Sequence, residues 1–330
     1  MISTDPESSD FRTRISSAVD VVDLLHSPAE KQRRFSAAGK WRAAKSEAEH
    51  LFRLAESWTE KLAIARLMAE LHIARALPVN TYSWDTAVRL HGSTYCLGLR
   101  TSEIYVIEEV YGYKMYDRNV DFVAKEGWVV FDIGANVGVV SVLQAQRKAQ
   151  VYAFEPNPDC YRRLLKNVTA NGLEDRIRPF NLALGNLAGT GTMQVERGGT
   201  TGGTVLAGEG AGLSAAPVSI TTLDRIAPAL NVSKIDLLKI DVEGAEADVL
   251  RGAAHTLAVT KRIILEYHSR QLLKEVEEIL NPYGFVREER VEYYPEDIAS
   301  GQEEVGITYY RRPARSAFVR ESGAHSKAPS

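Results

Sequence analysis

Between Val129 and Gly138 the chain reads Val-Val-Phe-Asp-Ile-Gly-Ala-Asn-Val-Gly, an apolar run that passes straight into two glycines and then into a helix-forming segment. A strand that turns sharply at glycine and enters a helix lets a ligand approach bare backbone at the carboxyl end of a parallel sheet. The same texture repeats after Gly127. Strands are expected at Val129–Ile133, Gln150–Phe154, Ile177–Asn181, Leu237–Ile240, Arg262–Tyr267, Phe285–Arg290 and Ile307–Arg311. Helices are expected at Val139–Arg147, Cys160–Ala170, Ala245–Arg251 and Arg270–Leu280. Alternation of this kind predicts an α/β fold with a parallel sheet covered on both faces. The last two strands have no long helix between them, so an antiparallel pair is expected at one end of the sheet.

The rest of the composition narrows the class. Across 330 residues, 40 Lys+Arg stand against 43 Asp+Glu, a formal charge of -3. No excess of positive charge exists to hold a phosphate backbone, so nucleic acid is not expected as a partner. The two cysteines, Cys96 and Cys160, lie far apart and imply neither a disulfide framework nor a zinc cluster. Met1 to Asp23 lacks a basic segment followed by an apolar stretch, and the most apolar window, Trp128 to Leu143, is interrupted by Asp132 and Asn136. Neither reads as a secretory signal or a membrane span, and a cytoplasmic location is expected.

Four stretches divide the chain. Residues 1–27 are expected to be a flexible N-terminus, 28–85 a helical segment, 86–311 the main domain and 312–330 a disordered tail. In the helical segment Leu51, Leu54, Ala55, Trp58, Leu62 and Ala65 recur at helical spacing. The helices should stop at Leu77-Pro78, because a residue before proline is pushed away from helical dihedrals. This segment is expected to be a scaffold packed on its own domain, the contact of a homodimer or the roof of a substrate site. Residues 86–116 end in a tyrosine cluster, Tyr111, Tyr113 and Tyr116. Between Gly185 and Gly212 ten of the 24 glycines gather, a stretch expected to be mobile or built of tight hairpins.

The chemistry concentrates at strand ends. Counted from Gly134, Asn136 and Val139 occupy the later glycine positions of the dinucleotide fingerprint, which makes pyrophosphate a poorer guess than a smaller ligand. Glu155 ends the next strand 21 residues beyond Gly134, where an acid takes ribose hydroxyls. Asp241, Glu243 and Glu246 then fall within six residues at the end of a buried strand. Such carboxylates repel a dinucleotide phosphate but favour a cationic ligand or a metal. Glu246 is read as an ordinary acid in a helix's first turn. Alternation sends Glu266 and His268 to one face of their strand, placing an acid and an imidazole together.

These segments resemble a known family. Phe-Asp-Ile-Gly-Ala-Asn-Val-Gly (131–138), Ala-Phe-Glu-Pro-Asn (153–157), Asn-Leu-Ala-Leu-Gly (181–185), Thr-Thr-Leu-Asp (221–224) and Leu-Lys-Ile-Asp-Val-Glu-Gly-Ala-Glu (238–246) are similar, in order, to the motifs of FkbM-type S-adenosylmethionine-dependent methyltransferases. The resemblance covers about residues 90–310. It implies a Rossmann-like seven-stranded methyltransferase fold with the final strand inserted antiparallel. It also implies O-methylation of a small metabolite, natural product or glycan. By position, Asp132, Gly134, Asn136 and Gly138 would frame the methionine moiety, Glu155 would hold the ribose, and Asn157, Asn181 and Ala183 would lie near the adenine. Asp241 and Glu243 would face the methyl and its acceptor. Glu109 and Tyr113 correspond to an acid and an aromatic upstream of the first motif.

Methyl transfer to an alcohol needs the oxygen brought into line and its proton removed. Asp241 and His268 are the candidate bases, with Glu243 beside them. A divalent cation on Asp241, Glu243, Glu266 or His268 is the alternative. Two other functions compete with the methyltransferase: a nicotinamide oxidoreductase, disfavoured by Asn136 and the clustered carboxylates, and a non-catalytic S-adenosylmethionine-binding protein.

Overall fold

The computed structural model describes residues 51–76, 85–98, 103–196, 213–293 and 305–313. Residues 1–50, the Leu77-Pro78 stop, the Gly198–Gly203 run and residues 314–330 lie outside the described residues, with whatever was expected of them.

Among the described residues a helical turn at 51–54 precedes helix α1 (Trp58–Ala76), the hairpin β1 (Asp85–Leu90) and β2 (Ser93–Gly98), and the short helix α2 (Glu103–Ile107), which continues as a π-helical turn at Glu108–Gly112. The sheet units follow: β3 (Val129–Ile133), α3 (Val139–Gln146), β4 (Gln150–Phe154), α4 (Pro158–Ala170) and β5 (Ile177–Phe180). Next come β6 (Ala183–Leu184), β7 (Gly189–Glu196), β8 (Leu213–Thr221), α5 (Leu223–Ala229) and β9 (Leu237–Ile240). The described chain closes with α6 (Glu246–Arg251), α7 (Ala254–Val259), β10 (Arg262–Tyr267), α8 (Arg270–Leu280), β11 (Val286–Tyr293) and β12 (Val305–Arg311).

Seven strands pair in the order β11-β12-β10-β9-β3-β4-β5. The five from β10 to β5 run parallel, and β12 lies antiparallel to both of its neighbours. This is the Rossmann-like sheet expected of the chain, with its final strand inserted. β5 stops at Phe180, one residue short of expectation, and the Asn181 side-chain amide donates to the carbonyls of Glu155 and Pro156. β11 and β12 are longer than expected, reaching Tyr293 and starting at Val305. A second sheet, β6-β8-β7, stands apart and supplies one wall of the cleft described below.

Alternation along the strands divides the core in two. Phe131, Ile133, Phe154, Leu238, Ile240 and Leu265 point to an apolar layer shared with α5–α8. Val130, Val151, Ala153, Leu237 and Ile264 point to the opposite layer, which continues through α3, α4 and the β1–β2 hairpin to Leu51, Ile64 and Leu67. The segment before the sheet is therefore packed into the same core as the sheet. Its apolar stripe differs from the expected one. Leu51 and Leu54 are buried, but Trp58 is 80% and Leu62 68% exposed, and Ile64, Leu67 and Met68 face the core instead. The backbone breaks at Ser57, whose hydroxyl caps the Glu60 N–H at 3.2 Å while Glu60 takes the Glu56 N–H at 2.7 Å. A break resets the helical phase, so spacing counted through it selects the wrong face. Among the described residues no helix is long and apolar enough to cross a membrane.

Candidate active site

Two glycine turns meet where the parallel strands end. After β3 the chain passes through Gly134, Asn136 and Gly138, all with positive φ; after β9 it does so again at Glu243 and Gly244. A Cβ on Gly134 would run into the carbonyl oxygen of Asp241, so the two turns touch backbone to backbone. Only glycine permits that approach at this φ. Beside the contact opens a cleft of about 350 Å³, lined by Gly134, Asn136, Glu155, Ala183, Asp241 and Glu243 among others, with β6–β8 opposite.

At one end of the cleft stands Glu155, 5% exposed. It accepts the N–H of Asn136 at 2.7 Å and of Asn157 at 2.8 Å. Burial pushes its carboxyl up to about 7 against the pull of those two donors. Asp132, Gly138 and Asn157, expected at the cofactor, stand behind the lining. Asn157 caps α4 through the Asp159 N–H at 2.9 Å, and Gly138 packs on Leu164 at the start of α3. Asp132 is wholly buried, accepting from Ser141 Oγ at 2.6 Å and facing Lys239 Nζ at 3.3 Å. Its carboxylate is spent on a side-chain cation rather than on the cleft.

Lys239 was not singled out from the sequence. It pairs in register with Asp132 across β3 and β9 and is almost fully buried. Its ammonium donates to the Gly134 carbonyl at 2.7 Å, lies 3.4 Å from Asp241 Oδ2 and sits over the Tyr116 ring at 5.9 Å. The nearby carboxylates hold it protonated although burial opposes the charge. A lysine inside Leu-Leu-Lys-Ile was the available signal, since lysine is almost never buried without a partner.

The other end of the cleft gathers charge from four elements. His268, just past β10, has Nδ1 at 2.8 Å from Glu246 Oε1, Nε2 at 3.2 Å from Glu243 Oε2 and at 3.7 Å from Glu266 Oε1. Burial opposes a charged ring here, but Glu243, Glu246 and Glu266 outweigh it, and the imidazole is pushed up to about 12. Ringed in this way, and with no ion beside it, the imidazole favours its protonated, donating form over the free base. Glu246 is also more than a helix-end acid: it is fully buried and takes the Gly244 N–H at 3.0 Å as well as the imidazole. Burial first, then the charge of Asp241, pushes Glu109 up to about 8, and burial together with its neighbours raises Asp241 and Glu266 also. Glu109 thus joins this group from the π-helical turn, and burial followed by the charges of Glu108 and Glu109 raises the Tyr113 phenol. The donor atoms of Asp241, Glu243 and His268 all lie within 4.8 Å of one another.

The cleft thus offers a ligand a buried acid at one end, bare backbone at a glycine turn and an anionic far end. The chain is similar to several known proteins. Residues 132–287 match the methyltransferase FkbM domain. Over 181 residues the chain is 32% identical to the 2-O-methyltransferase NoeI of Sinorhizobium fredii, spanning 48% of this chain and 71% of that protein. It is 29% identical over 181 residues to the hexuronic acid methyltransferase AglP of Haloferax volcanii, spanning 54% of this chain and 72% of that protein. Among solved structures it is similar to TYW2 of P. horikoshii in complex with MeSAdo, with 19% identity, a TM-score of 0.45, and coverage of 78% of this chain and 84% of that one.

Proposed function

Since the chain belongs to the FkbM methyltransferase family and is an S-adenosylmethionine-dependent methyltransferase, we propose that it methylates a hydroxyl oxygen of a small metabolite, natural product or glycan. The observation that carries this reading is one cleft with a ribose-type acid, Glu155, at one end and the Asp241–Glu243 turn at the other. The similarity to enzymes named for a hexuronic acid and for 2-O-methylation supports a sugar hydroxyl as the acceptor.

The residues present fit the cofactor. Each Glu155 oxygen accepts one backbone N–H, Oε2 from Asn136 and Oε1 from Asn157, which leaves each a further lone pair for ribose hydroxyls in the cleft it lines. The Gly134 turn offers backbone without side chains to the methionine part, with Asn136 beside it, and Ala183 leaves room on the β6 side. When bound, S-adenosylmethionine supplies an already activated methyl on a positive sulfur. The protein's work is then placement and proton removal. Asp241, anchored at Oδ2 by Lys239 and lining the cleft, together with Glu109 takes the proton of the acceptor hydroxyl. His268 donates to the acceptor or holds Glu243 and Glu246 in place. The divalent cation weighed against a side-chain base falls on these same residues. Trp58, Leu62 and Ile73, exposed on α1, support the homodimer contact expected of the N-terminal helices, which sedimentation of the full chain tests.

Calorimetry with S-adenosylmethionine and with NAD tests the cofactor, and transfer of labelled methyl to a panel of hydroxylated sugars tests the acceptor. Measurable NAD affinity without S-adenosylmethionine affinity sinks the reading. Cofactor binding with no transfer to any fraction of an extract from the native source leaves a binding protein instead.

A further inference from the structure

We infer that the acceptor end of the cleft binds one hard divalent cation, of the magnesium or manganese class, through Asp241, Glu243 and Nε2 of His268, with Glu266 at its edge. The inference deepens the methyltransferase reading, and its use in catalysis rests on that reading, whereas the binding itself does not.

Three features converge on this point. The donor atoms of Asp241, Glu243 and His268 lie within 4.8 Å of one another, although they come from the turn after β9 and the end of β10. An ion that holds ligands at about 2.1 Å separates opposite ones by about 4.2 Å, so small side-chain rotations close the group on it.

The imidazole is already oriented for the purpose. Nδ1 faces Glu246 Oε1 at 2.8 Å, and that carboxylate is fixed in turn by the Gly244 N–H. A ligating histidine characteristically gives its other nitrogen to such a carboxylate, which settles the tautomer and aims the free lone pair. Without an ion the Nε2 proton faces Glu243 Oε2, 3.2 Å away, and Glu266 Oε1, 3.7 Å away. A divalent ion entering there would displace that proton to solvent and take over the positive charge that separates the carboxylates.

Charge is the third feature. Glu246 is fully buried, and its Oε2 has no hydrogen-bond partner. A buried carboxylate with an unpartnered oxygen is tolerated beside compensating charge. Lys239 is shared between Asp132 and Asp241, and His268 faces Glu243, Glu246 and Glu266 together. Two carboxylate ligands and one imidazole, with a third carboxylate at the edge and no thiolate, suit magnesium or manganese better than zinc. Such an ion keeps open positions for a hydroxyl, or for two neighbouring hydroxyls of a sugar, and lowers the acidity barrier of the one to be methylated.

Titration of the full chain with Mn²⁺, followed by loss of the free-ion electron paramagnetic resonance signal and by calorimetry, tests the site with and without S-adenosylmethionine. One Mn²⁺ per chain is expected. Asp241→Asn and His268→Gln should each weaken it by about tenfold or more, and Glu246→Gln by about tenfold through the imidazole. Glu126→Gln, exposed and paired only with Lys148, should leave it unchanged. Should a variant fail to fold, the wild-type chain still decides, since Mn²⁺ must raise its melting temperature. No binding at millimolar Mn²⁺ with S-adenosylmethionine present, or binding that survives the Asp241→Asn/His268→Gln pair, overturns the inference. A chain that binds S-adenosylmethionine but no Mn²⁺ sinks this site and spares methyl transfer; one that binds Mn²⁺ but no S-adenosylmethionine does the reverse.

Discussion

At the donor end of the cleft a single carboxylate, Glu155, is steadied by backbone N–H groups from its own strand end and the neighbouring turn. At the acceptor end Glu109, Asp241, Glu243, Glu246, Glu266, Lys239 and His268 balance one another with side chains drawn from four elements. The first arrangement is local and survives the loss of any one distant residue. The second is collective, so each member sets the charge and direction of the others, and removing one should cost more than its own contacts. Under the proposed function this division suits a transferase: one end would grip S-adenosylmethionine, and the other would hold the reacting oxygen.

Perturbing each end should separate the two. Asp241→Asn is expected to lower turnover by about 10²- to 10⁴-fold, while calorimetry finds S-adenosylmethionine affinity changed by no more than about threefold. Comparable losses in both would erase the distinction between the ends. Lys239→Met leaves Asp132 buried without its cation and should destabilise the chain by about 3–5 kcal/mol in urea unfolding. Adding Asp132→Asn should restore part of that, because no lone charge then remains inside. Glu155→Ala should weaken S-adenosylmethionine by about 1.5–3 kcal/mol, the worth of hydrogen bonds to a charged group, and spare turnover at saturating cofactor. Unchanged affinity would remove the ribose assignment. The smallest effect is a pH dependence. The Glu155 carboxyl is raised to about 7, so it is ionised above that pH and protonated below. Hydroxyl donors prefer the ionised form, so affinity should improve about tenfold from pH 8 compared with pH 6. A flat profile over that window would show that the ligand does not touch this carboxylate.

What could be read beforehand follows the same division. Local patterns survived: Val129–Ile133 and Leu237–Ile240 form strands where apolar runs demanded them, and Glu155 stands where its distance from Gly134 placed it. Collective features were hidden. Asp132 looked like a ligand-facing acid because the partner that consumes it, Lys239, is 107 residues away and becomes its neighbour only when β3 and β9 pair. Glu246 passed for a helix-end acid because its contact with His268 needs β10 in place. β1 was missed because Asp85–Leu90 alternates over only six residues, and β8 because its partner β7 lies beyond a glycine-rich gap. The α1 stripe was misjudged for the opposite reason, a local break at Ser57.

The touching of Gly134 against the Asp241 carbonyl, tied by one lysine that reaches both, has a kinetic corollary. Joined in this way the two loops should move together, so that with S-adenosylmethionine bound by the one and the acceptor by the other, a single joint would set their approach. Loosening that joint should broaden the spread of approach distances long before it unfolds anything.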